Sequence, residues 1–282
     1  MNSFVLLVLD SCRYDSMAAA WPTLRNIPKL GELNRAYSFS SWTFASHILF
    51  TLGRLPWIDR RPDATHQKTE LTDLRLWKTR LGLTDDHPFQ QERDLRTGLH
   101  RLGYRLNAIT SANPLAEDSR FMSFVDDLVS VGQFENCLER VLLKLDFSQP
   151  QYLIINICET HYPYYDGAYD PQFSPYYLHG FAAQMRAAAE DRVVTIPTYH
   201  EALLSTLRLR QIESIRYVDS VIPKLFGLLP ANTCMAITAD HGDCFGEDGF
   251  VGHGEVWNKM VLEVPFLEGR VPPVTAGPGA AA

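Results

Sequence analysis

Apolar side chains are arranged along the chain in two patterns, and each pattern predicts one kind of secondary structure. Residues 4–9 (FVLLVL) and 151–157 (QYLIINI) form nearly continuous apolar runs, and residues 233–239 (TCMAITA) form another. Such runs are typical of strands that are buried on both faces of a parallel sheet. Further strands are predicted at 104–110, 126–131 and around 264–267.

Apolar positions three or four residues apart predict helices between these strands. The longest predicted helix spans 201–227, and shorter helices are expected at 44–52, 93–103 and 134–146. Because strands alternate with helices along the whole chain, the sequence predicts an α/β fold, a single domain with a mostly parallel central sheet flanked by helices.

The domain is expected to cover residues 1–270 and to carry two surface inserts. Residues 58–92 are polar and charged, whereas residues 165–200 are rich in aromatic side chains and proline. The second insert is either a lid or substrate wall beside a site, or plain surface. Residues 271–282 are expected to form a disordered tail.

Composition narrows the class of protein. A chain of 282 residues with 46% apolar and 21% charged residues can bury a large core. Its formal charge of −7 argues against a non-specific nucleic-acid binder, so no nucleic-acid partner is expected. The five cysteines form no CxxC pair, which favours a reducing compartment over a disulfide scaffold.

The chain offers no sign of a targeting segment. The first apolar run lacks a basic region before it and is too short for a signal peptide. No run approaches the ~20 apolar residues that a membrane span requires. We therefore expect a cytoplasmic protein without a membrane span, whose oligomeric state the sequence does not indicate.

The segment from Thr238 to Gly254 (TADHGDCFGEDGFVGHG) carries the strongest chemical signal. Asp240 and His241 stand side by side at the end of a predicted strand, and His253 follows between two glycines. A carboxylate oxygen and an imidazole nitrogen are suitable ligands for a divalent metal. The alternative is a loop with incidental polar residues, but the complete set favours a metal site.

Two other predicted strands end in residues that suit the same site. Asp10 follows the strand at 4–9, and His161 lies just beyond the strand at 151–157. Open α/β sheets build their sites at the carboxyl ends of their strands. Asp10 could instead cap the next helix, and a lone histidine is more often structural. Because three predicted strands end in potential ligands, a common site is favoured.

Thr43 lies at the start of the helix predicted at 44–52. The unpaired N–H groups and the dipole of a helix N-terminus favour an anion there. The Thr43 hydroxyl is either an N-cap or, beside a metal, a nucleophile whose alkoxide the ion stabilises.

With these residues in view, the chain resembles the alkaline phosphatase superfamily, specifically its sulfatase-like branch. VLDSCRYD resembles the first strand of that family, with its metal aspartate at Asp10. TFASHILFTLGRLP resembles the sulfatase segment C-x-P-S-R…T-G-R-x-P, with Thr43 at the position of the cysteine that forms formylglycine. DHGDCFGEDGFVGHG is similar to a motif of lipid-A phosphoethanolamine transferases, and ETHYPY is similar to an H-x-P-Y element near the substrate.

Three departures from the family pattern change the expected chemistry. Thr43 replaces the cysteine and His47 the arginine of the sulfatase segment, and Ser11 replaces a second aspartate. Formylglycine cannot form without the cysteine, so ordinary sulfatase chemistry is not expected. With one oxygen ligand fewer and a histidine present, zinc or manganese suits the site better than calcium.

Residues and resemblance together predict a metal-dependent hydrolase of a small-molecule phosphate ester, either a phosphodiester or a phosphonate-type monoester. Asp10, Asp240 and His241 would hold the main metal, and Thr43 would ligate it and attack phosphorus. His161 and His253 would either bind a second metal or bind substrate oxygens and protonate the leaving group. One and two ions both remain open.

Three other functions are alternatives to this prediction. The first is a transferase that passes the phospho-group to a small-molecule alcohol, and the second is a hydrolase of sulfate esters. The third is a catalytically silent binding module that has kept the fold. The presence of all five predicted metal-site residues, Thr43 included, argues against a silent module.

Overall fold

The structure is a computed structural model that describes most of the chain. The described residues are 2–52, 95–112, 115, 125–130, 133–135, 138, 142, 145–165, 167, 201–254 and 257–273. The insert predicted at 58–92 therefore lies outside the described residues, as does the insert predicted at 165–200 apart from residues 165 and 167. Of the tail predicted at 271–282, only residues 271–273 are described.

A seven-stranded sheet forms the centre of the described part, in the order β2-β9-β6-β1-β5-β3-β4. Its strands are β1 (Phe4–Leu9), β2 (Asn34–Tyr37), β3 (Arg105–Thr110), β4 (Asp127–Ser130), β5 (Gln151–Ile157), β6 (Cys234–Thr238) and β9 (Glu263–Arg270). The pairs among β6, β1, β5, β3 and β4 are all parallel, and β9 is antiparallel to both of its neighbours. The predicted α/β fold with a mostly parallel sheet is confirmed.

Helices lie between these strands along the chain. They are α1 (Tyr14–Ala20), α2 (Thr43–Leu52), α3 (Leu95–Arg101), α4 (Glu201–Leu228) and α5 (Lys259–Leu262). A two-stranded ribbon of β7 (Cys244–Phe245) and β8 (Val251–Gly252) follows β6. The helix predicted at 134–146 is described only at scattered positions, of which 134, 135 and 138 are helical.

The core has two layers because β1 is apolar on both faces. Val5, Leu7 and Leu9 face the layer that contains the apolar stripe of α4. Leu6 and Val8 face the opposite layer, where α2 packs. Burying an apolar side chain of this size contributes about 1.5–3 kcal/mol, so this alternation fixes a helix on each face of the sheet.

The short strand β2 and the ribbon β7–β8 were not predicted. The sequence of β2 (NRAY) is largely exposed at an edge of the sheet, so it has no apolar run to mark it. Its position follows from pairing with β9, between Ala36 and Val264 for example. Long-range pairing thus decides an element that local hydrophobicity does not indicate.

Sheet order places the predicted site residues together. Strands β6, β1 and β5 are adjacent and parallel, so their carboxyl ends meet at one edge. Asp240, Asp10 and the segment from Cys158 onward follow these three ends.

In the parts of the chain that the structure describes, no helix combines the length and the apolar character that crossing a membrane requires.

Candidate metal centre

Asp10, Asp240 and His241 form a buried cluster at this edge of the sheet. Each offers one potential ligand atom, and these three atoms lie within 4.8 Å of one another. All three side chains are almost completely buried. Arg13 occupies the N-cap position of helix α1, so Asp10 is not the cap of that helix. Two carboxylates and one imidazole gathered in a buried cluster suit a divalent cation.

The carboxylate of Asp240 is only half satisfied. Its Oδ1 accepts hydrogen bonds from the backbone N–H groups of Ser11 (3.0 Å) and His241 (2.9 Å). Its Oδ2 is buried without a hydrogen-bond partner among the described residues and lies 3.3 Å from His241 Nε2. Burial, together with the charge of Asp10, raises the pKa of Asp240 well above its usual value. An orphaned buried carboxylate oxygen is costly, and a cation at this point would satisfy it.

Ser11, whose backbone N–H donates to Asp240, has an unusual backbone conformation. It is a non-glycine residue with φ of 59°, in the left-handed region. Its hydroxyl also donates to Asp10 Oδ1 over 3.2 Å. Ser11 therefore orients the carboxylates of both Asp10 and Asp240. Such local strain persists only when the surrounding contacts hold it.

The carboxylate of Asp10 accepts hydrogen bonds at both oxygens and lies near three histidines. Its Oδ2 accepts a hydrogen bond from Asn156 Nδ2 (3.2 Å), and Cys158 Sγ lies 3.7 Å away. Burial acts to raise its pKa, but His161, His241 and His253 outweigh burial and the pKa lies below its usual value. Asp10 is thus the ionised member of the carboxylate pair and Asp240 the member that favours a proton.

His241 presents its Nε2 atom to the cluster. Its Nδ1 lies 3.0 Å from the carbonyl oxygen of Gly242, so Nδ1 carries the proton and Nε2 the lone pair. Burial, followed by the charge of His253, lowers the pKa of His241 to about 3. A neutral imidazole with a free lone pair is the form that binds a metal.

Thr43 is the first residue of α2, and its hydroxyl faces this cluster. Thr43 Oγ1 lies 3.1 Å from His241 Nε2. The first bond of the helix runs from Ser46 N–H to the carbonyl of Trp42, so the N–H groups of the first turn point toward the cluster end of α2. The position combines a hydroxyl, a helix N-terminus and potential metal ligands.

Hydrogen bonds tie the start of α2 to the loop that carries the ligands. The hydroxyl groups of Ser38 and Ser46 both donate to the carbonyl oxygen of Asp240. Gly254 N–H donates to the carbonyl oxygen of Ser41 (2.8 Å), and the Ser41 hydroxyl donates to the carbonyl of Gly254. These bonds hold Thr43 in register with Asp240 and with the turn that carries His253.

His253 belongs to a second cluster, with His241 and Asp243, whose potential ligand atoms also lie within 4.8 Å of one another. His253 Nδ1 is 2.6 Å from Asp243 Oδ1, and the hydroxyl of Tyr164 donates to Asp243 Oδ2 over 2.8 Å. Burial acts to lower the pKa of His253, but the charge of Asp243 outweighs burial and raises it. His253 therefore favours a proton, which His241 does not.

Asp243 was not singled out from the sequence, although it is the second aspartate of the DHGD segment. Burial acts to raise its pKa, but His253 outweighs burial and the pKa lies below its usual value. Arg13, itself buried, donates to the carbonyl oxygen of Asp243 (3.2 Å) and to the carboxylate of Glu247 (2.6 Å). Its place two residues after His241 was the one local signal that could have identified it.

His161 lies at the margin of these clusters. Its ring centroid is 5.2 Å from that of His253, whereas the rings of His241 and His253 are 4.2 Å apart. His161 Nδ1 lies 2.7 Å from the carbonyl oxygen of Tyr162. The sequence predicts that His161 and His253 act together, and their rings meet edge to face. The second cluster nevertheless consists of His241, Asp243 and His253, without His161.

Gln211, on α4, is a further residue that sequence patterns did not reveal. It is fully buried, and its amide donates to the carbonyl oxygens of Ser11 (2.8 Å) and Thr160 (3.1 Å). These two residues adjoin Asp10 and His161 in the sequence. A single amide therefore links the loops that follow β1 and β5. Its position on the apolar stripe of α4, four residues after Leu207, was the one sequence signal that could have distinguished it from a surface glutamine.

A known family model matches a large part of this chain. Residues 107–267, more than half of the chain, match the family model described as Sulfatase. No curated protein matches the sequence.

The fold is similar to those of several solved structures. The C-terminal periplasmic domain of phosphoethanolamine transferase EptC from Campylobacter jejuni aligns with a TM-score of 0.53 and 13% identity, over 95% of this chain and 79% of that one. The phosphonate monoester hydrolase SpPMH from Silicibacter pomeroyi aligns with a TM-score of 0.56 and 12% identity, over 96% and 68%. The lipoteichoic acid synthase LtaP from Listeria monocytogenes aligns with a TM-score of 0.54 and 10% identity, over 99% and 67%.

At these identities the likeness establishes the fold. The EptC domain is periplasmic, so the comparisons lend no support to the predicted cytoplasmic location.

Proposed function

The chain belongs to the sulfatase family, and we propose that it is a metal-dependent hydrolase of phosphate esters that uses Thr43 as its nucleophile. The substrates are phosphodiesters or phosphonate-type monoesters of small molecules. The observation that carries this proposal is the contact of 3.1 Å between Thr43 Oγ1 and His241 Nε2 beside the half-satisfied carboxylate of Asp240.

Asp10, Asp240 and His241 would hold the main metal ion, because their potential ligand atoms lie together. Oxygen and nitrogen donors in this ratio suit zinc or manganese. When bound, the ion supplies Lewis-acid stabilisation of the charge on the phosphoryl oxygens and on the Thr43 hydroxyl oxygen. If a second ion binds, His241, Asp243 and His253 would hold it, whereas with a single ion His253 is free to act as an acid.

The protein side chains carry the two chemical steps. Thr43 Oγ1, having lost its proton to solvent, forms a bond to phosphorus as the bond from phosphorus to the leaving oxygen breaks. His253, kept protonated by Asp243, gives its proton to that oxygen. A water molecule then attacks the phosphoryl-threonine, returns a proton to His253 and releases Thr43. An alcohol in place of that water would make the same reaction a transfer.

A phosphate ester is preferred over a sulfate ester because a threonine stands where a sulfatase carries its formylglycine precursor. The N-terminus of α2 and the protonated His253 would offset negative charge on a bound phosphoryl group. Electrostatic stabilisation of this kind is usually the largest contribution to catalysis.

Elemental analysis and a substrate panel test the proposal together. Protein purified without chelator is expected to hold about one to two zinc or manganese ions and to cleave p-nitrophenyl phenylphosphonate and bis-p-nitrophenyl phosphate faster than p-nitrophenyl sulfate. Adding glycerol and comparing the nitrophenol and phosphate products separates transfer from hydrolysis. Turnover by the metal-free protein, or a preference for the sulfate, would refute the proposal.

A further inference from the structure

An open cavity of about 270 Å³ lies beside the candidate metal centre, between α2 and the ends of β2 and β6. We infer that this cavity is a subsite for an apolar group of the ester, either a phenyl ring or a short alkyl chain attached to phosphorus or to its ester oxygen. The inference rests on the proposed function, which it deepens by naming the substrate class.

The cavity adjoins the reacting centre along the backbone. Ala239 lines it and is the residue before Asp240. Strands β2 and β6 are both antiparallel to β9, so their carboxyl ends lie at the same edge of the sheet as the metal-site residues. The segment that leaves β2, which includes Phe39, forms another wall. The cavity thus opens at the edge where the chemistry is placed.

Helix α2 connects the cavity with the proposed nucleophile. Ser46 and Phe50 line the cavity, and Thr43 begins the same helix. At ~100° per residue, Phe50 lies about 20° and Ser46 about 60° from Thr43 around the helix axis. At ~1.5 Å per residue these residues lie about 10 Å and about 4.5 Å from Thr43 along the axis. A group bound against Phe50 would therefore extend along the helix face that carries the nucleophile.

The cavity is apolar because its hydroxyl groups are already used. Those of Ser38 and Ser46 donate to the carbonyl oxygen of Asp240, and Thr238 Oγ1 donates to the carbonyl of Pro265 (2.9 Å). The hydroxyl of Tyr37 donates to Glu263 Oε1 over 3.4 Å. The other lining residues are alanine, leucine, valine and phenylalanine, and none of the ten is charged. This lining would exclude a second phosphate and would favour hydrocarbon.

Two exposed aromatic residues mark the same place. Tyr37 and Phe39 are 60% and 47% exposed, and they are two of the five large hydrophobic residues that are exposed in the described part of the chain. Exposed aromatic side chains grouped at a cavity indicate binding rather than chance. The volume is near the lower end of ligand pockets, roughly 300–1,000 Å³, so it fits one ring or a short chain rather than a whole lipid.

The test compares p-nitrophenyl esters of methyl-, butyl- and phenylphosphonate with the metal-loaded protein. The kcat/KM value is expected to rise by about tenfold from methyl to phenyl, chiefly through a lower KM. Phe50→Ala, which removes an aromatic ring from the lining of the cavity, is expected to reduce this preference about threefold. Leu102→Ala, which changes an exposed leucine next to α3, is the control and should keep both the rates and the preference.

Equal kcat/KM values for the three esters in the parent protein, or a full preference for the phenyl ester in folded Phe50→Ala, would overturn the subsite. Should Phe50→Ala fail to fold, Phe39→Ala takes its place and is expected to reduce the preference to the same extent, about threefold. Direct binding of phenylphosphonate and methylphosphonate, measured by calorimetry, separates this inference from the proposed function. Tighter binding of the phenyl compound without turnover of any ester would support the subsite and refute the hydrolase, whereas turnover with equal binding would do the reverse.

Discussion

Asp243 Oδ1 lies 2.6 Å from Nδ1 of His253, a buried ion pair in the turn that follows the metal-site strand. The pair orients the imidazole so that Nε2 is directed away from the carboxylate. The Tyr164 hydroxyl occupies the other oxygen of Asp243, so the carboxylate itself is fixed. This arrangement makes Asp243 a positioning residue for His253.

Asp243→Asn tests that role. The substitution keeps the shape but removes the charge that raises the pKa of His253, so kcat is expected to fall about 10- to 100-fold and the basic limb of the pH profile to move to lower pH. The metal bound by Asp10, Asp240 and His241 should remain. Asp127→Asn, at an exposed ion pair with Arg105, is the control and should change neither. An unchanged pH profile in Asp243→Asn would show that His253 does not act through this pair.

Thr43→Ala distinguishes a nucleophile from a helix cap. If Thr43 is the nucleophile, the turnover rate of Thr43→Ala should fall by several orders of magnitude, while Thr43→Ser retains part of the rate. As a cap, Thr43→Ala should lower the free energy of unfolding by about 1 kcal/mol and leave the rate per folded molecule unchanged. Single-turnover kinetics and thermal melts on one preparation separate the two.

Thr51→Ala provides a control for that comparison. Thr51 is buried in α2, and its hydroxyl donates to the carbonyl of Ile48 over 2.9 Å. The Thr51→Ala protein should have a lower free energy of unfolding and should keep the turnover rate of the parent protein. A Thr43→Ala protein that behaves like Thr51→Ala would exclude the nucleophile.

The metal-site residues are expected to differ in what their loss removes. Asp240→Asn and His241→Ala should abolish both metal binding and activity, because both side chains leave one strand end in the first cluster. His253→Ala should weaken activity without emptying the main site. Metal content by elemental analysis and ester turnover are measured on the same samples. Loss of the main ion from His253→Ala alone would show this division of roles to be wrong.

The metal-free protein should be stabilised by the same Asp240→Asn change that destroys its metal site. The pKa of Asp240 is raised in the folded state. Its contribution to the free energy of unfolding is therefore fully present below the unfolded pKa of about 3.9 and is lost as pH rises through the folded pKa. Asparagine removes this penalty and can donate from Nδ2 to His241 Nε2, which lies 3.3 Å from Asp240 Oδ2.

Urea unfolding of both metal-free proteins between pH 3.5 and 8 measures the difference. We expect a gain of about 1–3 kcal/mol near pH 7, the usual cost of an unsatisfied buried polar group, and no gain near pH 3.5. Asp10→Asn should have the opposite sign at neutral pH, because the folded-state pKa of Asp10 is lowered. A gain that is independent of pH would contradict the assignment of the effect to Asp240 ionisation.

Gln211→Met should weaken metal binding although Gln211 is not a ligand. Its loss leaves two buried carbonyl groups, of Ser11 and Thr160, without their donor, and it frees the left-handed backbone of Ser11 that binds Asp240. Metal affinity is expected to fall about 10- to 100-fold, measured by competition with a chelator, with a changed visible spectrum of the cobalt-substituted protein.

Asp219→Asn is the matched control on the same helix. Asp219 accepts hydrogen bonds from the backbone of Arg25, Asn26 and Ile27, so its loss should lower stability and leave the metal site unchanged. If Gln211→Met lowers stability to the same extent and keeps the parent cobalt spectrum, its role is structural only.

Local sequence determined the strands and the chemistry at their ends. The apolar runs of β1 and β5 require burial on both faces, and this requirement fixes an α/β fold with helices on each side. Side chains that follow such strands, here Asp10, Asp240 and His241, stand at the sheet edge whatever the order of the strands. The long apolar stripe of α4 likewise predicted a helix at 201–227, and the structure has it at Glu201–Leu228.

Only the tertiary structure decided which of these strand ends are neighbours and what surrounds them. Strand order depends on pairing between segments far apart in sequence, and nothing local states that β1 lies between β6 and β5. For the same reason Tyr164 and Asp243 meet across 79 positions, and Gln211 reaches Ser11 across 200. Hydrogen bonds and ion pairs of this kind depend on distance in space, which a hydrophobic pattern along the chain does not encode. Periodicity identifies which face of an element is buried, and the packing of those faces selects the polar partners that complete the site.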